Sequence, residues 1–348
     1  MSFFLDNIDA MIPYVPGAQP EPGRRVVKLN QNENPYPPSP RALAALESFN
    51  GASLRLYPDP MAPKFTAVAS EVLGVPPEQI IVGDGSDDLI IMLARAAAGP
   101  GRAIAYGEPT FPYYFTQAQV QGAPVAAIPC DADFTLPLEA LAEADAALTF
   151  VASPNSPTGA AATTDQLDWL AGKLSGLLAI DEAYADFAAE NALPLVDRHD
   201  NVVVLRTLSK GYSLAALRLG FAVAGKAIRQ GLLKTKAIYN VGPIPAAVGA
   251  AAMADQSYHD ECVAAIIAER KRLATALIKR RFFVYPSHGN FLLAAVPGGD
   301  APRMVETLKA GGILVRYFNS PLLQDKLRIS IGTADDTDAL LAAIDAML

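Results

Sequence analysis

Between residues 80 and 224, short apolar runs alternate with helical patterns, and this alternation limits the fold more than any other feature of the chain. The runs are too short for helices and too uniformly apolar for half-exposed strands. They predict strands at 80–82, 103–106, 125–128, 147–151, 177–180, 202–205 and 221–224. Strands buried on both faces require helices above and below a mostly parallel sheet. The expected fold class is therefore α/β, with a large domain built on a mostly parallel seven-stranded sheet covered by helices.

Beyond Pro243 the texture changes. An Ala-rich helical stretch over 246–281, broken near Ser257 and Tyr258, precedes strand patterns at 282–285, 291–296, 313–315 and 327–331. A helix is expected between the second and third of these. A last helix starts near Thr333, with Leu340, Leu341, Ile344 and Leu348 on one face. This predicts a smaller α+β domain. At the other end, the Pro- and Asn-rich segment before Ser39 reads as an extended arm, followed by a helix with Ser39 as N-cap and Pro40 in its first turn. The next helix stops at Gly74, past Leu73. The expected division is an arm over 1–38, a large domain over 39–243 and a small domain over 244–348, to which part of the arm could also belong.

Composition removes several classes of function. With 28 basic and 36 acidic residues the formal charge is −8, which disfavours a nucleic-acid partner. No apolar stretch reaches the ~18 residues of a membrane span, and the first residues lack the pattern of an export signal. Cys130 and Cys262 fit no metal or redox spacing, and His199, His259 and His288 are isolated, so no metal site is expected. A reduced cytoplasmic setting follows as the expectation.

Open α/β sheets bind ligands beyond the carboxyl ends of their strands, so the residues after each apolar run are the candidates for chemistry. The run Val202-Val203-Val204-Leu205 leads into TLSKGYSLAALRLG, which delivers Lys210 into a loop. A lysine amine with a reference pKa of about 10.4 becomes a nucleophile near neutrality only if its surroundings or a carbonyl partner change its state. Ser209 offers a hydroxyl, and Arg218 a planar fork suited to phosphate. Together they look like an anchor for pyridoxal phosphate, an aldehyde carrying a phosphate.

Four further stretches bear on that reading. In IIVGDGSDDL a strand turns into a helix at Gly85, Ser86 and Asp87, where free N–H groups can hold an anion, although the same turn serves as an ordinary capped junction. It lacks the third glycine of a dinucleotide fingerprint. SPNSPTG presents Asn155, either as a donor to a ring oxygen or as a plain turn residue. LLAIDEAYADF ends a buried strand at Asp181, a costly place for a carboxylate without a cation such as a pyridine N–H⁺. Tyr184 follows within reach of the ring oxygen, and Glu182 reads as a helix N-cap. Arg316 and Arg328 close strands of the small domain and suit either carboxylate recognition or surface ion pairs.

Taken in order, Asn155, Asp181, Tyr184, Ser209, Lys210 and Arg218 resemble the fold-type I aminotransferases that use pyridoxal 5'-phosphate. The segments NENPYPPSP, YPDP, GDGSDD, SPNSPTG, DEAYADF, TLSKGYSLAALRLGF and LRISIGT are similar to the histidinol-phosphate aminotransferase family along nearly the whole chain. The resemblance implies a Lys210 internal aldimine, Asp181 at the pyridine nitrogen, and Asn155 with Tyr184 at the ring oxygen. It implies Ser209, Arg218 and the backbone at Gly85, Ser86 and Asp87 around the phosphate, with Phe111 stacked on the ring. Tyr57 would reach the phosphate of a neighbouring subunit in a homodimer with shared sites. Arg316, Arg328 and Asn155 would bind substrate, with L-histidinol phosphate and 2-oxoglutarate as the expected pair. Departures at Asp88, Ser156, Gly211, Tyr212 and His288 leave room for an aromatic amino acid donor, or for a threonine-phosphate decarboxylase-like reaction.

Overall fold

The computed structural model describes residues 2–13, 17–20, 23 and 26–348, and the rest of the expected arm lies outside them. All seven expected strands of the large domain form: β2 (Ile80–Gly83), β3 (Ile104–Glu108), β4 (Val125–Pro129), β5 (Leu148–Ala152), β6 (Leu177–Asp181), β7 (Val202–Thr207) and β8 (Gly220–Ala224). They are preceded by β1 (Val27–Leu29) in the arm and followed by β9 (Phe283–Val284), β10 (Phe291–Ala295), β11 (Ile313–Tyr317) and β12 (Lys326–Ser330). The large sheet has the order β2-β8-β7-β6-β5-β3-β4, antiparallel only where β8 meets its two neighbours.

The central strands show why both faces must be covered. Val202, Val203, Val204 and Leu205 are fully buried, with Val202 and Val204 in one apolar cluster and Val203 and Leu205 in the cluster across the sheet. Each such side chain stabilises the fold by roughly 1.5–3 kcal/mol. Local chemistry sets the helix ends as expected. Ser39 accepts from Ala42 N at the start of Pro40–Glu47, Gly74 (φ +67°) stops Pro63–Leu73, and Thr333 forms a capping box with Asp336.

The small sheet has the order β1-β11-β12-β10-β9. Its first strand is supplied by the arm, with Val27, Lys28 and Leu29 parallel to Ile313, Leu314 and Val315. The division expected at 243/244 precedes a helix, Pro243–Met253, whose Val248, Ala252 and Met253 belong to the large-domain core. The next helix, Gln256–Lys279, contributes Val263, Ile266, Leu273 and Leu277 to the small-domain core. The break therefore falls at 254–255, ahead of the expected Ser257 and Tyr258, because the chain leaves one core for the other there. Arg41 Nη1 donates to the freed Ala254 carbonyl. Among the described residues, no helix is long and apolar enough to cross a membrane.

Candidate active site

A cleft of ≈ 210 Å³ opens at the carboxyl ends of β5, β6 and β7, beside the N-terminus of the helix Gly85–Ala97. Lys210, Asp181, Tyr184, Ser209, Arg218, Ser86, Asp87 and Phe111 all line it. Lys210 follows β7; its Nζ donates to Gln31 O at 3.1 Å and lies 5.7 Å from the centre of the Tyr184 ring. The arm also holds the lysine's backbone, since Asn34 Nδ2 donates to the Lys210 and Gly211 carbonyls.

Asp181 ends β6 at 5% exposure. Its Oδ2 accepts from the Tyr114 hydroxyl at 2.7 Å and its Oδ1 from Ala183 N at 3.1 Å. Burial pushes its pKa up to about 6, against the pull of those two hydrogen bonds. Among the described residues, no lysine, arginine or histidine nitrogen lies within 4.0 Å of its carboxylate oxygens. A buried acid in this position fits a ligand that brings its own cation, as a protonated pyridine does.

The other end of the cleft is built for an anion. Gly85 (φ +74°) opens the helix, and a Cβ there would meet Arg218 Nη2 at 2.5 Å, so the guanidinium packs over bare backbone. Arg218 also donates to Asp87 Oδ2 at 3.2 Å, and Thr207 Oγ1 donates to Ser209 Oγ at 2.9 Å. Helix N–H groups, a serine hydroxyl and an arginine fork are a donor set for phosphate. With Lys210 available for an aldehyde, the residues present fit pyridoxal phosphate.

Several expected residues lie elsewhere. Asn155 faces a neighbouring cavity of ≈ 260 Å³ shared with His288, and its Nδ2 donates to Pro109 O and Thr158 Oγ1, both at 2.9 Å. Ser156, with Pro154, lines the cleft wall in its place. Glu182 is not a helix cap. It is 3% exposed, pairs with Arg206 Nε at 2.7 Å and accepts from Ala192 N. Tyr57 is 82% exposed and stacks on Tyr239 at 4.6 Å, away from this cleft.

Arg316 and Arg328 are cross-strand partners, both near the Phe318 ring. Arg328 reaches the cleft wall, donating to Ser156 Oγ at 2.9 Å and Asn30 O at 2.8 Å. Arg316 lines an adjacent cavity of ≈ 490 Å³ that shares Phe111 with the cleft. Tyr114, Thr207 and Asn32 were not expected here. Tyr114 stands three residues after Phe111, but Tyr113 beside it is an equal candidate by sequence.

The family profile "Aminotransferase class I and II" matches residues 24–344. Histidinol-phosphate aminotransferase 1 of Trichormus variabilis is 49% identical over 347 residues, covering 100% of this chain and 99% of the relative. Histidinol-phosphate aminotransferase of Geobacter sulfurreducens is 42% identical, covering 98% of each. Among solved structures, histidinol-phosphate aminotransferase from Sinorhizobium meliloti in complex with pyridoxal-5'-phosphate superposes with a TM-score of 0.90 at 25% identity, covering 100% of this chain and 99% of that one. The cleft, the fold and these likenesses agree: this chain belongs to the class I and II aminotransferases.

Proposed function

We propose that the chain transfers an amino group between L-histidinol phosphate and 2-oxoglutarate in histidine biosynthesis, as a cytoplasmic homodimer using pyridoxal 5'-phosphate. The observation that carries this reading is the convergence of Lys210, the buried Asp181 and the Arg218 cradle on one cleft. The names of full-length relatives point to the substrate.

When bound, the cofactor supplies an electron sink for negative charge at the substrate's Cα. Lys210 Nζ would be the amine that holds the cofactor's aldehyde end and, as a free amine, the base that takes the proton from the substrate's Cα. Asp181, as a carboxylate, holds the proton on the ring nitrogen. Ser209, Arg218 and the backbone at Gly85, Ser86 and Asp87 bind the phosphate, and Phe111 covers one ring face. Tyr184 donates to the ring oxygen. Tyr57, exposed beside Tyr239, reaches the phosphate in the second subunit. Arg328, with Arg316, binds the anionic end of the amino donor and the carboxylate of glutamate.

Half-reaction rates test the assignment, read as loss of near-visible absorbance with histidinol phosphate, phenylalanine, tyrosine and threonine phosphate. Histidinol phosphate is expected to react fastest. A faster reaction with phenylalanine or tyrosine assigns an aromatic donor instead. Carbon dioxide release from threonine phosphate without a keto acid assigns a decarboxylase.

A further inference from the structure

The arm segment NQNEN places Asn32 where the arm, the small sheet and the cleft meet. Asn32 is 1% exposed and has φ +55°, a conformation that asparagine tolerates better than most residues. Four hydrogen bonds fix it. Its backbone N–H donates to Ser330 Oγ at 2.8 Å, and its carbonyl accepts from Asn290 Nδ2 at 2.9 Å. Its side-chain Oδ1 accepts from the Ser330 hydroxyl at 2.9 Å, and its Nδ2 donates to the Tyr184 hydroxyl oxygen at 3.0 Å. Ser330 and Asn290 are themselves buried. Left-handed backbone at a buried, fully bonded side chain is strain kept in place by its surroundings, a pattern that clusters at functional sites.

The direction of the last bond matters. An amide N–H can only donate, so the Tyr184 oxygen must accept from Asn32 and its own proton is left to point elsewhere. The amide is held against reversal because the Ser330 hydroxyl donates its proton to Oδ1 while accepting the Asn32 backbone N–H. Tyr184 lines the cleft and is steadied edge-on against Phe291 at 5.1 Å.

We infer that Asn32 is a positioning residue that makes Tyr184 a one-way proton donor into the cleft, aimed at the phenolic oxygen of the bound cofactor ring. This inference rests on the pyridoxal phosphate reading above. A donor at that oxygen favours its deprotonated form and so lowers the pH at which the cofactor's near-visible absorbance titrates. Without Asn32 the phenol is released to rotate, and the advantage shrinks.

The test is a pH titration of that absorbance band in the holo-protein. Asn32→Gly keeps the left-handed backbone accessible, removes the donor and adds no charge. Its midpoint is expected to rise by about one pH unit, the tenfold effect of roughly one hydrogen bond. Tyr184→Phe is expected to rise by at least as much. The double variant should rise no further than Tyr184→Phe alone, because both act through one proton. An unchanged midpoint in Asn32→Gly beside a raised one in Tyr184→Phe overturns the inference, as does full additivity. Should Asn32→Gly fail to fold, Ser330→Ala is read instead. Freeing the amide to turn must raise the midpoint, and no change there overturns the inference equally. If the wild-type protein with added pyridoxal phosphate develops no titrating band, the cofactor reading itself fails.

Discussion

The Tyr114 hydroxyl donates to Asp181 Oδ2 across 2.7 Å, in a place where both side chains are shut off from water. Tyr114 is stacked on Phe150 at 4.5 Å with an interplanar angle of 4°, and it meets Phe111 edge-on at 5.7 Å. Burial and the adjacent carboxylate hold the phenol well above its ordinary pKa, so it stays a donor. Its hydrogen bond helps to keep Asp181 charged. Tyr114→Phe should therefore raise the Asp181 pKa. The acidic limb of the kcat profile is expected to move to higher pH, with a loss of about tenfold at pH 6 and less at pH 8.

Asp181 also makes the cofactor-free protein sensitive to pH. Its folded pKa of about 6 lies above the ordinary 3.8, so it disfavours folding as pH rises from about 4 through 6. Asp181→Asn removes that cost. Apo Asp181→Asn is expected to exceed the apo wild type in stability above pH 6 by no more than about 3 kcal/mol, with the gain fading toward pH 4. Urea unfolding at pH 4, 6 and 8 measures this. In the holo-protein the same change should greatly slow proton transfer, and unchanged turnover would show that the ring's charge is kept by another group.

Lys210→Ala should abolish turnover and the near-visible band while leaving the far-ultraviolet dichroism intact, because the side chain is only half-buried and its amine is tied to the fold through the Gln31 carbonyl. Persistence of the band would remove Lys210 from the mechanism.

Gly85→Ala adds a methyl group at φ +74°, directed at Arg218 Nη2. The left-handed backbone costs about 1–2 kcal/mol, and the guanidinium must withdraw from the helix end. Cofactor affinity is expected to fall at least tenfold by equilibrium titration, whereas Gly231→Ala, within the helix Lys226–Thr235 where an added Cβ meets nothing within 4 Å, should leave it unaltered.

Arg206→Met strands the buried Glu182 carboxylate, whose pKa burial already raises. Breaking such a pair by removing one partner costs about 3–5 kcal/mol. Denaturant unfolding should show a loss of this size near pH 8 and a smaller one near pH 5, where protonation relieves the stranded charge.

Much of the site was legible because its residues follow apolar runs directly. Asp181 and Lys210 come at or just after the ends of β6 and β7, so recognising the strands was enough to place them at one edge. The SPNSPTG loop shows the limit of that reasoning. Prolines and a glycine announce a rigid turn, yet whether Asn155 or Ser156 faces the cleft depends on Pro109, Thr110 and Thr158, which claim the Asn155 amide. Glu182 misled for a related reason. An acid after a strand resembles a cap until Arg206, 24 residues on, is seen opposite it on the adjoining strand.

The chain's own pattern determined the seven strands, the helices that cover them and the identity of the groups at their ends, because burial periodicity and capping are properties of neighbouring residues. Only the tertiary structure decided that Tyr114 serves Asp181, that β1 of the arm joins the small sheet, and that Asn32 reaches Tyr184. Those partners are 67, 286 and 152 positions apart, measured from Tyr114 to Asp181, Val27 to Ile313 and Asn32 to Tyr184. A hydrogen bond requires atoms placed to a few tenths of an ångström, and over such separations that placement is set by how sheets and cores pack.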